Sequence, residues 1–144
     1  MSHQQLGVIV YILTALAVVV VVLTRLRLRQ DSGGAGAVHV GEGFVNLHTV
    51  AGSIAIVLWL VFLLADQDAA LGSDVVGIIA LAFWWITVIA GLLILARWLP
   101  SRGRHASSGT EDTWSEGPGL SILAHVGMLV GVSVFTYAYL NAAV

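Results

Sequence analysis

Residues 44–65 read FVNLHTVAGSIAIVLWLVFLLA. No Asp, Glu, Lys or Arg occurs in these 22 positions, and a helix needs roughly 20 apolar residues to cross the hydrocarbon core of a bilayer. Lipid offers no hydrogen bonds to the backbone, so a run of this kind satisfies its N–H and C=O groups by coiling into a helix. Three further runs share the pattern, at 6–23, 75–96 and 120–140, and all fourteen formally charged residues of the chain fall outside the four. The strands of a membrane β-barrel would be about 10 residues long and would alternate in polarity, which none of these runs does.

Composition agrees. The chain has 144 residues, 58% hydrophobic and 10% charged, with a mean hydropathy of +0.95, whereas soluble domains carry about 25% charged residues. A water-soluble chain of this size leaves too much surface wet to hide so many apolar side chains. The expected fold is therefore an all-α integral membrane protein. It forms one domain over 1–144, with helices at about 6–25, 44–65, 74–98 and 119–141 in an up-down-up-down bundle. There is no cysteine, which excludes disulfides, thiolate catalysis and cysteine zinc sites. The net charge of −2 gives no sign of a nucleic-acid partner.

Orientation follows from the arginines. Arg25, Arg27 and Arg29 come after the first run, and Arg97, Arg102 and Arg104 after the third; these are all the basic residues in the chain. The connection at 66–73 holds Asp66 and Asp68, with Asp74 next, and has no basic residue. Short cytoplasmic loops are the ones enriched in Lys and Arg. Loops 26–43 and 99–118 are thus expected to be cytoplasmic, and loop 66–73 and both termini non-cytoplasmic. In a prokaryote the location would be the plasma or inner membrane. The first run is read as a retained span: its positive charges follow it, and in a secretory signal they would precede it.

Two histidines lie inside the spans, His48 and His125, and no Asp, Glu, Arg or Lys does. In an up-down-up-down bundle they stand on diagonal helices running in the same direction, about 6 and 7.5 Å below the inner boundary. Helix axes about 8–10 Å apart put diagonal partners roughly 11–14 Å apart. Imidazoles reaching inward across that span can bind opposite faces of one haem iron. Gly52, one turn beyond His48, and Ala55 after it leave room beside a ring. Met128, one turn from His125, reaches a ring edge or fills core. Arg27, Arg29, Arg102 and Arg104 are placed to neutralise haem propionates. Two other readings of the histidines stand beside this one: structural hydrogen bonds to carbonyls of neighbouring helices, or another metal or ligand. His3, His39 and His105 read as solvated, with a loop metal site from His39, Glu42 and His105 as the alternative. Phe83, Trp84 and Trp85 either line a cofactor or quinone, or pack against lipid and neighbouring helices. Phe135, Tyr137 and Tyr139 read as interfacial anchors.

The segments Asn46-Leu47-His48-Thr49-Val50-Ala51-Gly52 and Leu123-Ala124-His125-Val126-Gly127 resemble haem-ligand segments of four-helix membrane cytochromes b, including cytochrome b561-like bundles. The resemblance covers the bundle layout and these two segments. It implies one haem b with His48 and His125 as axial ligands, because b561-type bundles usually hold two haems with four ligands and no second buried pair exists here. The functional expectation is an electron-transfer protein, or a haem-carrying accessory subunit of a respiratory or redox complex, rather than a complete enzyme. Its partners would be the bilayer, a redox protein or quinone, and further copies or subunits. The alternative is a cofactor-free structural or assembly subunit. No nucleophile–base pair, phosphate loop or catalytic carboxylate pair is visible, and no acid or base at mid-depth suggests a pump or transporter.

Overall fold

The computed structural model describes the backbone of residues 1–30, 42–102 and 118–144, and the side chains of 1–21, 43–44, 46–96 and 122–144. Four helices make up the fold: α1 (His3–Gln30), α2 (Glu42–Leu64), α3 (Asp74–Arg102) and α4 (Pro118–Leu140). A single turn of 3-10 helix, Ala70–Gly72, sits between α2 and α3. Among the described residues there is no strand, and each of the four helices is long and apolar enough to cross a membrane.

The helices run a little past the apolar runs, for local reasons. Ser2 and Gln5 cap α1 reciprocally: the Gln5 amide donates to Ser2 Oγ at 3.2 Å, and the Ser2 amide to Gln5 Oε1 at 2.9 Å. This exchange satisfies two otherwise orphaned donors and starts the helix at His3. At its other end α1 continues through Arg25, Arg27 and Arg29 to Gln30, since Arg, Leu and Gln are good helix formers once a helix exists. Asp74 opens α3, where a carboxylate suits the positive end of the helix dipole. Pro118 opens α4, where a missing N–H costs nothing.

Contacts along the helices fix the topology. The α2–α3 pair is antiparallel in one register throughout: Gly91 meets His48, Gly52 meets Thr87, and Gly77 meets Phe62. Each of these pairs is centred on the same point of the connection between the helices. Gly91 also meets His125, and Gly77 meets Tyr139, so α4 runs antiparallel to α3 and parallel to α2. Trp59 Nε1 donates to Thr14 Oγ1 at 3.1 Å, and Tyr11 Oη to the Leu63 carbonyl at 3.0 Å. These bonds bring the start of α1 to the end of α2. Gly7 of α1 lies against the Ala143 carbonyl just past α4. The arrangement is up-down-up-down, with α2 and α4 diagonal. Both chain ends and the 65–73 connection share one end of the bundle.

The core sits in the half of the bundle nearer that end. Trp59 stacks on Phe135 with ring centres 5.0 Å apart, and Trp84 tilts against Phe135 at 5.8 Å. Val10, Ala55, Ala80, Val132 and Ala138 close around them. Phe135, read from the sequence as an interfacial anchor, is instead 1% exposed. It lies in the fifth turn of α4, and its ring fills the space between Trp59 and Trp84. Tyr137 is exposed, and Tyr139 Oη donates to the Asp74 carbonyl at 2.9 Å. Much of the remaining apolar surface faces outward, including Val8, Ile12, Leu16, Val57, Ile78, Ile89, Leu93 and Val130.

Candidate functional site

His48 lies in the second turn of α2 and His125 in the third turn of α4. The fold brings them together: their ring centres are 6.2 Å apart, with planes inclined by 28°. At that separation the rings do not touch face to face. Gly91 shows which edges they present. A Cβ at Gly91 would stand 2.9 Å from His125 Cδ2, 3.0 Å from His48 Cε1 and 3.2 Å from His125 Nε2. The His125 ring thus turns its Nε2 edge toward Gly91, and His48 borders the same glycine through Cε1.

The tautomer of His48 follows from its partner. Its Nδ1 lies 2.9 Å from the Thr87 carbonyl oxygen. A carbonyl only accepts, so Nδ1 carries the proton and donates. In the neutral ring Nε2 then keeps its lone pair, which is the arrangement of histidines that ligate metals, where the distal N–H is held by a carbonyl. A histidine that merely ties two helices makes the same bond. Thr87 and Gly91 are one turn apart on α3, as His48 and Gly52 are on α2. The two helices interlock: His48 sits over bare Gly91, and Thr87 over bare Gly52, where a Cβ would come within 3.2 Å of Thr87 Cγ2.

The other expected site residues fall differently. Gly52 faces Thr87 of α3, where it serves helix approach. Met128 is half-buried and packs against the core. Gly127 and Gly131 face open space. Trp85 Nε1 donates to Thr136 Oγ1 at 3.1 Å, and Trp84 belongs to the core, so these rings act in packing. His3 is exposed. The side chains of Arg27, Arg29 and Arg102, together with Arg104 and the loop set His39, Glu42 and His105, lie outside the described residues. Two shallow apolar hollows lie at the opposite end of the bundle, lined by residues such as Met1, Leu6, Ile9, Val130 and Tyr137. Among the described residues no three His, Cys, Asp or Glu side chains cluster as a metal site.

Thr87 and Gly91 escaped sequence reasoning. Both sit in an apolar run with no motif to mark them. The signal that finds them is the register: once the short connection pairs α2 with α3, the spacing His48-x3-Gly52 meets Thr87-x3-Gly91 head to tail.

In ring separation alone the pair matches two axial imidazoles on one iron. Two Fe–N bonds of about 2 Å, plus about 1.1 Å from each nitrogen to its ring centre, require centres about 6 Å apart, and 6.2 Å is found. Clearance is tighter. The α3 backbone at Gly91 flanks the gap on one side, and a porphyrin extends well beyond the iron it holds, so a macrocycle needs α3 farther from the pair than it stands here. No family model, curated protein or solved structure matches this chain.

Proposed function

We propose that this chain is a four-span membrane protein that carries one haem b between His48 and His125 and passes single electrons, alone or as an accessory subunit of a redox complex. Both termini would lie on the non-cytoplasmic side, because all six Arg lie toward the C-terminal ends of α1 and α3 or just after them in sequence, away from the end that holds the termini. One observation carries the reading: two imidazoles from α2 and α4 lie with ring centres 6.2 Å apart, both bordering bare Gly91 of α3.

The haem, when bound, supplies the one-electron couple. The chain's own part is to hold it and set its environment. His48 is held in one tautomer and orientation by the Thr87 carbonyl, which raises the basicity of Nε2. Burial of the pair within the apolar spans would lower the local dielectric, one of the levers by which a protein sets a haem potential. Electrons would come from a membrane quinone or a redox protein.

A second reading is favoured by the crowding at Gly91. If α3 keeps its place, the histidines lock α2, α3 and α4 together, and the chain is a cofactor-free structural or assembly subunit. A reduced-minus-oxidised spectrum of the full chain, expressed with ample haem and purified in mild detergent, separates the two. The first reading expects the sharp bands of six-coordinate low-spin haem; a featureless difference spectrum removes it.

A further inference from the structure

Whatever the histidines hold, α1 must be kept against the other three helices, and the far end of the bundle shows how. We infer that the turn after α4, Ala142-Ala143-Val144, is a strap that fastens α1 to α4 at the end of the bundle that holds the termini.

The turn is built at a conformational cost. Ala142 has φ 48°, the left-handed region that a Cβ disfavours and that glycine normally fills at this position. The Ala142 amide donates to the Tyr139 carbonyl at 3.0 Å, and the Ala143 amide to the Ala138 carbonyl at 3.0 Å. These are the paired bonds that reverse a chain after a helix and satisfy its last carbonyls. A left-handed alanine persists where its surroundings over-determine it, and here they do. The reversal carries Ala143 and Val144 back onto the buried core.

It also carries the Ala143 carbonyl onto α1. Gly7 is buried, and a Cβ there would stand 3.2 Å from that oxygen. A left-handed residue on one side of the contact thus meets a bare helix position on the other. The seam needs such a fastening. Tyr11 and Thr14 of α1 hydrogen-bond to α2, but toward α4 the packing is open. Leu6 and Ile9 of α1 and Leu129, Val130, Val134 and Tyr137 of α4 line an apolar hollow of about 480 Å³.

Distances between paired spin labels test the strap in the full chain, reconstituted in lipid nanodiscs. The chain has no cysteine, so nitroxides attach only where cysteines are placed. Exposed Ile12, Asp68 and Val126 supply two pairs: Ile12→Cys with Asp68→Cys follows α1, and Asp68→Cys with Val126→Cys follows α4. Each pair is measured in the otherwise wild-type chain and with Ala142→Gly, Ala142→Val or Gly7→Val. Glycine keeps the left-handed turn, whereas a β-branched valine at 142 opposes it, and a valine at 7 collides with the Ala143 carbonyl. Both valine variants should broaden the Ile12–Asp68 distance and lengthen it by roughly 4 Å or more, enough to lose side-chain contact. Ala142→Gly should match the wild-type turn, and the Asp68–Val126 distance should stay constant throughout. An unchanged Ile12–Asp68 distance in either valine variant would overturn the strap, as would an equal shift in Ala142→Gly. Movement of both pairs together would overturn it too, because the turn would then brace the whole bundle and not α1. No arm depends on haem.

Discussion

A buried imidazole is defined by what each of its nitrogens faces. His48 gives Nδ1–H to the Thr87 carbonyl, which leaves Nε2 as the acceptor side of the neutral ring. If the pair holds haem as proposed, removing either imidazole removes a ligand that Met128 does not replace, since Met128 packs against the core. His48→Ala and His125→Ala, each alone, should abolish the low-spin haem spectrum while leaving the helical circular dichroism unchanged. A normal six-coordinate spectrum in either single variant would assign the ligand elsewhere. The tryptophans give a residue-scale test of packing. Trp59 and Trp84 are both buried, but Trp59 donates to Thr14 Oγ1 whereas the Trp84 N–H has no partner among the described residues. Replacing each by Phe loses comparable volume, but only Trp59→Phe loses a bond, so it should cost about 1 kcal/mol more than Trp84→Phe in a detergent unfolding titration. Of the site, the two histidines were legible in the sequence, because ionisable residues inside apolar runs stand out. Thr87 and Gly91 were not, since a threonine and a glycine in a membrane helix carry no chemical label. Gly52 and Met128 were read as neighbours of a ring from spacing alone, but spacing gives a face of a helix and not what that face meets.

At the scale of elements, the bundle is held by small residues under large ones. Gly77 of α3 lies beneath both Tyr139 and Phe62, where a Cβ would come within 2.8–3.0 Å of the two rings. The same register places Gly91 beneath the histidines some four turns away. Gly77→Ala should therefore destabilise the protein by about 1–3 kcal/mol, the usual cost of overpacking, while Gly131→Ala, whose Cβ meets nothing, should leave unfolding unchanged. Equal effects of the two substitutions would show that helix propensity rather than packing governs both positions. The existence of the four helices was legible, because charge-free runs of about 20 residues admit few other structures. Their ends were less so. The start of α1 is set by the exchange between Ser2 and Gln5, and α3 continues to Arg102, past the apolar stretch that announced it. Phe135 shows a further limit. An aromatic residue toward a span end suggests an interfacial belt, and only the neighbouring helices reveal that Trp59 and Trp84 enclose it.

For the whole molecule, one end carries the short 65–73 connection and both termini, where Gly7 meets the Ala143 carbonyl, and the other carries the histidine pair. The antiparallel pairing of α2 and α3 was expected from the short connection between their runs. Which end faces the cytoplasm rests on six arginines and their placement, and the absence of native cysteine makes this directly testable. Single cysteines at Ser2, Asp68 and Asn141 should react with a membrane-impermeant maleimide from the outer side of intact cells or spheroplasts, and one at Ser107 only after lysis. The reverse pattern would invert the topology and move the histidine pair to the outer leaflet. In the proposed function His48 and His125 jointly hold one iron. Low-temperature EPR of the oxidised full chain, purified after expression with ample haem and quantified against chain concentration, tests that claim most directly. One bis-imidazole low-spin haem per chain is the predicted result; haem-free protein, or a haem that is high-spin with a single axial histidine, would contradict it.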